Sequence, residues 1–319
     1  MPQISNSFAT FNSSRVREQL LDNIWNVSVS ETPTLALIGK EKVNGPLVEW
    51  LNDSFRAGTS NKVEAGNLSA PVARADVSRY SNRTQITEDV LSITGTQQVV
   101  EKAGGKDEVA YQETKAMVAL KKDIEFGVLQ NTTSIAASAG TAPQARGFLG
   151  FIATNTSKST GATAGVDPNP LTNTAPTDGT LRQLQESHLQ DVMRLMFDNG
   201  AEIDGTYALI PSALRARVDT FLAGQTRFDK AEDKTLTATL EVYIGPFGRV
   251  KFVNARHMRS REIFIVNPEY ASLGTLRGMK STPLGKRGDA DERLINCEWT
   301  LLVKNEKAHG AIRDVQPTA

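Results

Sequence analysis

The longest periodic pattern of apolar residues lies at 106–131 and predicts a helix. Its apolar positions recur at helical spacing on one stripe: Val109, Ala116, Met117, Leu120, Ile124 and Val128. Acidic residues occupy the first turn, where the helix dipole favours negative charge. At 1.5 Å per residue, such a helix is about 40 Å long. We expect it to be the main structural axis of the molecule.

Strict alternation of apolar residues marks one clear strand, at 294–303, with Ile295, Cys297, Trp299, Leu301 and Val303 on one face. Weaker strand patterns cover 45–51, 84–94, 207–210, 239–245, 249–254 and 262–266. In 84–94 the alternation is imperfect: Ile86 and Val90 share one side, and Leu91 and Ile93 the other.

Two further helices are predicted in the second half of the chain. Thr180 and Gln183 have capping-box spacing, which places the start of one helix there and its end at Asn199-Gly200. The other spans 212–222, with Leu214, Val218 and Phe221 on one face. This mixture of helices and strands predicts an α+β fold.

Three segments are poor in core-forming residues. Residues 1–30 are rich in Asn, Ser and Thr and predict an extended arm, and 132–180 predict a long loop with one apolar island at 147–154. Between Asn52 and Asp89 large apolar side chains are sparse and turn formers recur. Such a segment cannot offset its own ordering entropy, so we expect a long two-stranded arm that lies on another surface.

The composition excludes several classes of protein. Lys and Arg total 36 and Asp and Glu total 36, whereas non-specific DNA binders carry a basic excess. No apolar run approaches the length of a membrane span, and the N-terminus lacks the features of a secretion signal, so we expect a protein that is made and used in a cytoplasm. Cys297 is the single cysteine, so no intramolecular disulfide can form.

No motif of catalytic or cofactor-binding chemistry is visible. The sequence has no GxSxG, GxxxxGK[ST] or HExxH, and no GxGxxG that opens a helix. His188, His257 and His309 are isolated from one another and from other ligand types, so we interpret them as structural. The sequence predicts no enzyme, no metal and no cofactor.

A basic run at 249–261 leaves two interpretations open. Arg249, Lys251 and Arg256 could face packaged DNA, because such side chains attract phosphate without reading bases. The same run could also be an ordinary solvated or intersubunit face, and this is the interpretation that we favour.

Together, several segments carry a resemblance to a known family: 32–55, 64–67 (EAGN), 81–86 (SNRTQI), 90–100, 106–131 and 145–155. The chain resembles the major capsid proteins of tailed bacteriophages (Caudoviricetes), of the Hong Kong 97 type or Johnson fold. That resemblance implies a virion protein that assembles as hexamers and pentamers into an icosahedral head around double-stranded DNA. A nanocompartment shell of the same fold, a phage tail or decoration protein, and a soluble enzyme without a recognisable motif are the alternatives.

The resemblance also implies a division of the chain. It gives an N-terminal arm at 1–32, an extended loop with flanking strands at 33–105, and a peripheral domain at 106–199. An axial domain follows at 200–270, and 271–319 return to the peripheral domain. The candidate intersubunit contacts are Trp50, Arg56, Lys62, Glu64, Arg74, Arg227 and Asp229.

Partners follow from the same resemblance. Many family members carry a long N-terminal scaffold segment, whereas this sequence reaches the predicted helix by residue 106, so we expect a separate scaffolding protein. A portal and a decoration protein are further expected partners, and assembly is expected in the host cytoplasm. Some members also cross-link a loop lysine to another subunit. Lys62 occupies such a place, but no acid arrangement matches that chemistry, and we expect no cross-link.

Overall fold

The computed structural model describes residues 31–56, 58–68, 71–72, 76–100, 107–164, 174–222, 242–286 and 288–318. The helices in these ranges are α1 (Pro33–Leu37), α2 (Gly95–Val99), α3 (Glu108–Gln130), α4 (Phe148–Phe151), α5 (Glu186–Asp198) and α6 (Ser212–Asp219). Short 3-10 turns lie at Thr220–Leu222, Pro268–Tyr270 and Glu306–Ala308. The predicted arm at 1–30 and residues 223–241 lie outside the described residues.

The strands form four sheets in the described ranges. The first six strands are β1 (Gly39–Lys42), β2 (Leu47–Asn52), β3 (Ser78–Arg83), β4 (Gln85–Thr94), β5 (Thr156–Ser157) and β6 (Arg182–Gln183). The next four are β7 (Thr206–Ile210), β8 (Val242–Gly245), β9 (Gly248–Asn254) and β10 (Glu262–Val266). The last are β11 (Ala271–Pro283), β12 (Ala290–Val303), β13 (Gly310–Arg313) and β14 (Val315–Gln316). The mixed α+β composition that the sequence predicts is confirmed.

Helix α3 confirms the predicted long helix within two residues at its start. The side chain of Asp107 accepts a hydrogen bond from the backbone N–H of Ala110 and caps the helix. Ala116, Leu120, Ile124 and Val128 are buried on the stripe that the sequence marks. The helix packs this stripe against a four-stranded sheet in the order β1-β11-β12-β4.

Strand β12 supplies the centre of that sheet. It contains the predicted strand at 294–303 and pairs with β11 on one side and β4 on the other. Its alternate residues Ile295, Cys297, Trp299, Leu301 and Val303 are buried, as their spacing predicts. In β4, Ile86 and Val90 are exposed and Leu91 packs toward α3, which confirms the predicted sides.

A separate two-stranded hairpin is formed by β2 and β3. The strands run antiparallel, with Trp50 opposite Tyr80, and Asn52 and Ser78 pair at the end nearest the connecting loop. In the described parts of 53–77, no residue belongs to a helix or strand. This hairpin and its loop correspond to the arm that the sequence predicts between residues 52 and 89.

The second sheet has six strands in the order β5-β13-β10-β7-β9-β8 and is buried on both faces in its centre. On β10, Phe264 and Val266 join the core beneath α3, while Ile263 and Ile265 join a second core with α5 and α6. The second core also contains Val192 of α5 and Ile312 of β13. Residues on both sides of the predicted domain boundary at 199/200 therefore share one core.

The predicted start of the second helix at Thr180 is wrong. Helix α5 begins at Glu186, and its capping box is formed by Gln185 and His188. Residues Arg182–Gln183 form β6 instead, because Arg182 N–H donates to the carbonyl of Asp314 and Leu184 N–H to that of Gln316. Pairing with β14 consumes the backbone groups that a helix would need.

The predicted loop at 132–180 is largely irregular where it is described, but its apolar island is a core element. Phe148, Leu149, Phe151 and Ile152 are all buried within the core beneath α3.

In the described ranges, no helix is both long and apolar enough to cross a membrane.

Candidate assembly surfaces

The loop beyond the β2–β3 hairpin exposes apolar side chains that its own subunit does not cover. Phe55 and Leu68 are 102% and 96% exposed, and Val63 and Val72 are exposed as well. Exposed apolar groups concentrated in one segment mark an interaction surface. We call residues 53–77 the hairpin loop.

The charged candidates on the hairpin loop lie among these apolar groups. Arg56, Lys62 and Glu64 are exposed, and Arg56 Nη1 donates to Thr59 Oγ1 over 2.6 Å. Arg74 of the same loop, and Arg227 and Asp229 of the axial segment, lie outside the described residues.

Trp50 differs from the other candidates because it faces its own subunit. Its ring is half-buried against the core beneath α3, with its centroid 6.1 Å from that of Phe151. The opposite face of β2 carries the exposed Leu47 and Leu51. Trp50 is therefore placed to anchor the hairpin, and the exposed face of β2 is free to meet a partner.

The hairpin base is held by polar contacts that the sequence does not indicate. Asn82 is fully buried on β3, and Thr84, directly after β3, donates from Oγ1 to Glu298 Oε1 over 2.7 Å. Glu298 Oε2 accepts from Arg277 Nε over 2.8 Å. These contacts connect the hairpin to the four-stranded sheet.

The basic run at 249–261 divides into two structural groups. Arg249 and Lys251 are exposed on β9, where Lys251 Nζ lies 5.6 Å from the ring centroid of Tyr207. Arg249 Nε lies 3.9 Å from Asp204 Oδ1, and both groups are largely exposed. Arg256 is exposed beside a cleft of about 540 Å³. These three remain accessible to a polyanion.

Arg259 and Arg261 instead belong to an internal ion network. Arg259 contacts Asp178 and Glu262, and Arg261 Nη2 lies 2.6 Å from Asp314 Oδ1. The network closes through Arg313, whose side chain is 1% exposed and lies 3.5 Å from Glu262. These arginines tie the loop around Asp178 to β10 and to the turn after β13.

Charge compensation in this network is uneven. Burial alone would raise the pKa of Asp178, but the hydrogen bond and charge of Arg259, with Arg261 and Arg313, hold that pKa below its usual value. Burial raises the pKa of Glu262 even though Arg259 and Arg313 lie beside it. Breaking such a network by removing one partner is costly, because the remaining buried charge loses its compensation.

The histidines and the cysteine hold structural positions. His188 Nδ1 accepts from the N–H of Gln185 as part of the α5 cap, and His309 is fully buried with Nδ1 accepting from Asn267 N–H. Burial lowers the pKa of His309 to about 4. Cys297 is buried beside Thr87 Oγ1, and burial raises the pKa of its thiol. No group of three potential metal ligands occurs in the part of the chain that the structure describes.

Comparison with protein families identifies the chain. Residues 3–316 match the model of the SU10 major capsid protein family, and this range includes both cores, the hairpin and the four- and six-stranded sheets. The chain belongs to this family. It is a shell subunit of an icosahedral phage head and not an enzyme. The expectation drawn from the sequence segments at 32–155 is thereby confirmed.

Solved capsid structures share the fold at low sequence identity. The capsid asymmetric unit of cyanophage A-1(L) matches with a TM-score of 0.67 and 15% identity, covering 97% of this capsid protein and 99% of that chain. The native gene-transfer-agent particle (GTA) gives 0.63 and 13%, covering 94% and 96%. A chain from the phage G structure of major capsid and decoration proteins gives 0.53 and 12%, covering 98% and 99%. The Hong Kong 97-type fold is confirmed, while no curated protein matches the sequence.

Proposed function

We propose that this capsid protein assembles as hexamers and pentamers, held together by the hairpin loop, around double-stranded DNA. The observation that carries the proposal is the exposure of Phe55 and Leu68 on the hairpin loop. Burying such side chains contributes about 1.5–3 kcal/mol each, and the contact repeats at every subunit of a shell.

We assign the domains by their cores. Helix α3 and the four-stranded sheet form the peripheral domain, and the six-stranded sheet with α5 and α6 forms the axial domain. The second core supports placing α5 and β13 in the axial domain, because Val192 and Ile312 pack with Ile210 and Ile265. The sequence-based boundary at 199/200 would then move to a point before β6.

The exposed Arg249, Lys251 and Arg256 are our proposed DNA-facing residues. Three cations per subunit, repeated over a shell, give weak non-specific attraction to phosphate without a basic net charge. Arg259 and Arg261 are excluded from this role because they are committed to the internal network. A scaffolding protein, a portal and a decoration protein are the proposed protein partners, and the host cytoplasm is the proposed place of assembly.

Replacement of residues 56–76 by a short Gly-Ser bridge tests the proposal. Neither core contains a described residue of this range, so we expect a folded subunit by circular dichroism and its thermal midpoint. Closed particles should be absent by electron microscopy and sedimentation. Normal particles from the deletion variant would contradict a clamping role, and an unfolded subunit would place the loop in the subunit's own core.

A pair of substitutions provides a finer test. Phe55→Ser with Leu68→Ser removes the two most exposed apolar groups of the loop and should reduce particle yield at least tenfold. Val99→Ser is the matched control, because Val99 is 86% exposed on α2, outside the hairpin loop. An equal loss in the control would show that exposed apolar area in general, rather than the hairpin loop, drives association.

A further inference from the structure

The direction of the hairpin is decided at a single residue. Strand β3 ends at Arg83 in the hairpin sheet, and β4 begins at Gln85 in the four-stranded sheet. Only Thr84 separates them, and its N–H donates to the carbonyl of Pro46 at the start of the other hairpin strand over 2.9 Å. Both strands of the hairpin are therefore joined at the level of Thr84.

Asn82 fastens the hairpin to the sheet edge that β4 leaves open. Pairing of β4 with β12 stops at Gln85 and Trp299, so the carbonyl of Leu301 lies beyond the last paired residue. Asn82 Nδ2 donates to that carbonyl over 2.8 Å and to the carbonyl of Arg146 over 3.0 Å. Its Oδ1 accepts from the N–H groups of Arg146 and Arg83, each over 2.9 Å. Every hydrogen-bonding position of this buried amide is used.

Glu298 adds a charged contact at the same level. It is 8% exposed and accepts from Thr84 Oγ1 with one oxygen and from Arg277 Nε with the other. Arg277 lies opposite Glu298 at the irregularity where β11 changes register. The register shift thus places a guanidinium where it compensates the carboxylate that holds Thr84.

On the β2 side, the hairpin is held by ring packing. Trp50 lies against Phe151, and the guanidinium of Arg146 lies 5.6 Å from the same ring centroid. Arg146 thereby contacts both sides of the hairpin base, through its backbone to Asn82 and through its side chain to the ring that holds Trp50.

We propose that Asn82, Thr84 and Glu298 are positioning residues that fix the angle at which the hairpin leaves its subunit, and thereby the uniform closure of the shell. This inference rests on the proposed role of the hairpin loop. Strands of six residues place the loop roughly 20 Å from Thr84, so a rotation of about 10° at the hinge displaces it by about 3 Å. A displacement of that size would separate Phe55 and Leu68 from a fitted partner surface.

The test uses a matched pair at the hinge. Thr84→Val keeps the β-branched shape but removes the hydroxyl that donates a hydrogen bond to Glu298, whereas Thr84→Ser keeps that hydroxyl. On dissociated subunits, amide hydrogen exchange in residues 78–83 should become roughly tenfold faster in the valine variant, since a bond to a charged group is lost. Residues 294–303 should be unchanged. Electron microscopy should show open or unequal particles for valine and normal particles for serine.

Each outcome decides the inference. If amide exchange at 78–83 is unchanged in the valine variant, the hydrogen bond from Thr84 does not hold the hairpin, and the proposal is wrong. If exchange is faster but the particles are still uniform and closed, the hairpin angle does not control shell closure. If the valine variant does not fold, Thr84→Ala answers the same question, because it removes the same hydrogen bond to Glu298 with a smaller side chain. If wild-type subunits form no particles, the proposed function is wrong, while the exchange measurement still shows whether Thr84 holds the hairpin in place.

Discussion

Glu125 is a buried carboxylate on the inner side of helix α3. Its Oε1 accepts from Thr34 Oγ1 over 3.2 Å, and the backbone N–H groups of Thr34 and Leu35 also point to it. Its Oε2 has no hydrogen-bond partner among the described residues. Burial raises the pKa of Glu125 from 4.5 to about 7, and the bonds from Thr34 and Leu35 only partly oppose this. The Glu125 carboxyl therefore changes from neutral to charged near pH 7.

Replacing Glu125 with Gln should change how stability depends on pH. The pKa is higher in the folded than in the unfolded chain, so the stabilisation is complete below pH 4.5 and is lost as pH rises to about 7. The total loss is about 3 kcal/mol. Gln keeps the acceptor for Thr34 and carries no charge. Relative to wild type, the variant should gain free energy of unfolding steadily between these pH values.

Urea denaturation of dissociated subunits from pH 4.5 to 7.5 measures this difference. His309 contributes the opposite trend, because its lowered pKa makes stability fall as pH drops from 6.5 toward 4. That contribution is present in both proteins and cancels in their difference. A constant difference across the range would mean that Glu125 is ionised in the folded subunit throughout.

Single residues also show where sequence reasoning stops. Asn82 lies in a polar run, SRYSNR, with no apolar alternation, and its burial follows from the position of Leu301, which is 219 residues away. Asp178 and Arg313 are likewise far apart in sequence. Contacts of this kind leave no local pattern, whereas the apolar stripe of α3 is local and was predictable.

Helix α3 contains one glycine, Gly127, at a position where helix propensity alone would favour alanine. A Cβ on Gly127 would lie 2.8 Å and 2.9 Å from two ring carbons of Trp299, which is 1% exposed. The glycine therefore lets the helix approach β12 closely over the largest buried side chain of the core.

Substitution Gly127→Ala should destabilise the subunit by up to about 2 kcal/mol. Helix propensity alone favours alanine by about 1 kcal/mol, but overpacking a fixed ring costs about 1–3 kcal/mol. Thermal or urea unfolding measures the sign. The double variant with Trp299→Phe supplies the control: the smaller ring should remove most of the cost of the added methyl. A Gly127→Ala subunit more stable than wild type would show that the ring can shift freely.

At the scale of helices and strands, the regularity of the apolar spacing decided which elements could be predicted from the sequence. Helix α3 carries a long regular period and was predicted nearly to its ends. Strand β12 was predicted from Leu294 to its end at Val303, and its first four residues were missed. Strand β11 was missed, because two register shifts break its alternation and its residues include Gly274 and Gly278. The start of α5 was misplaced because a capping pattern at Thr180 competed with pairing to β14, which is 133 residues away at Val315 and Arg182.

At the scale of the whole molecule, the residues that stabilise the folded subunit differ from those that we expect to contact neighbouring subunits. Both cores and the ion network around Arg313 lie within one chain, whereas no described residue of the hairpin loop belongs to either core. A subunit built this way can fold before it assembles, and its shell contacts can vary without cost to its core. The sequence indicated this separation through the sparse apolar content of residues 52–89, but not the clamp that orients the loop.

The strength of the assembled shell should therefore be non-covalent. Cys297 is the single cysteine and is buried beside Thr87, so a folded subunit offers no thiol to a neighbour. Lys62 is exposed on the hairpin loop, and the sequence indicates no acid arrangement that matches cross-linking chemistry. Particles boiled in detergent, with or without reductant, should run as a single band at 34.6 kDa. A ladder of higher bands would contradict this, and its loss in a Lys62→Arg variant would identify Lys62 as the cross-linked residue.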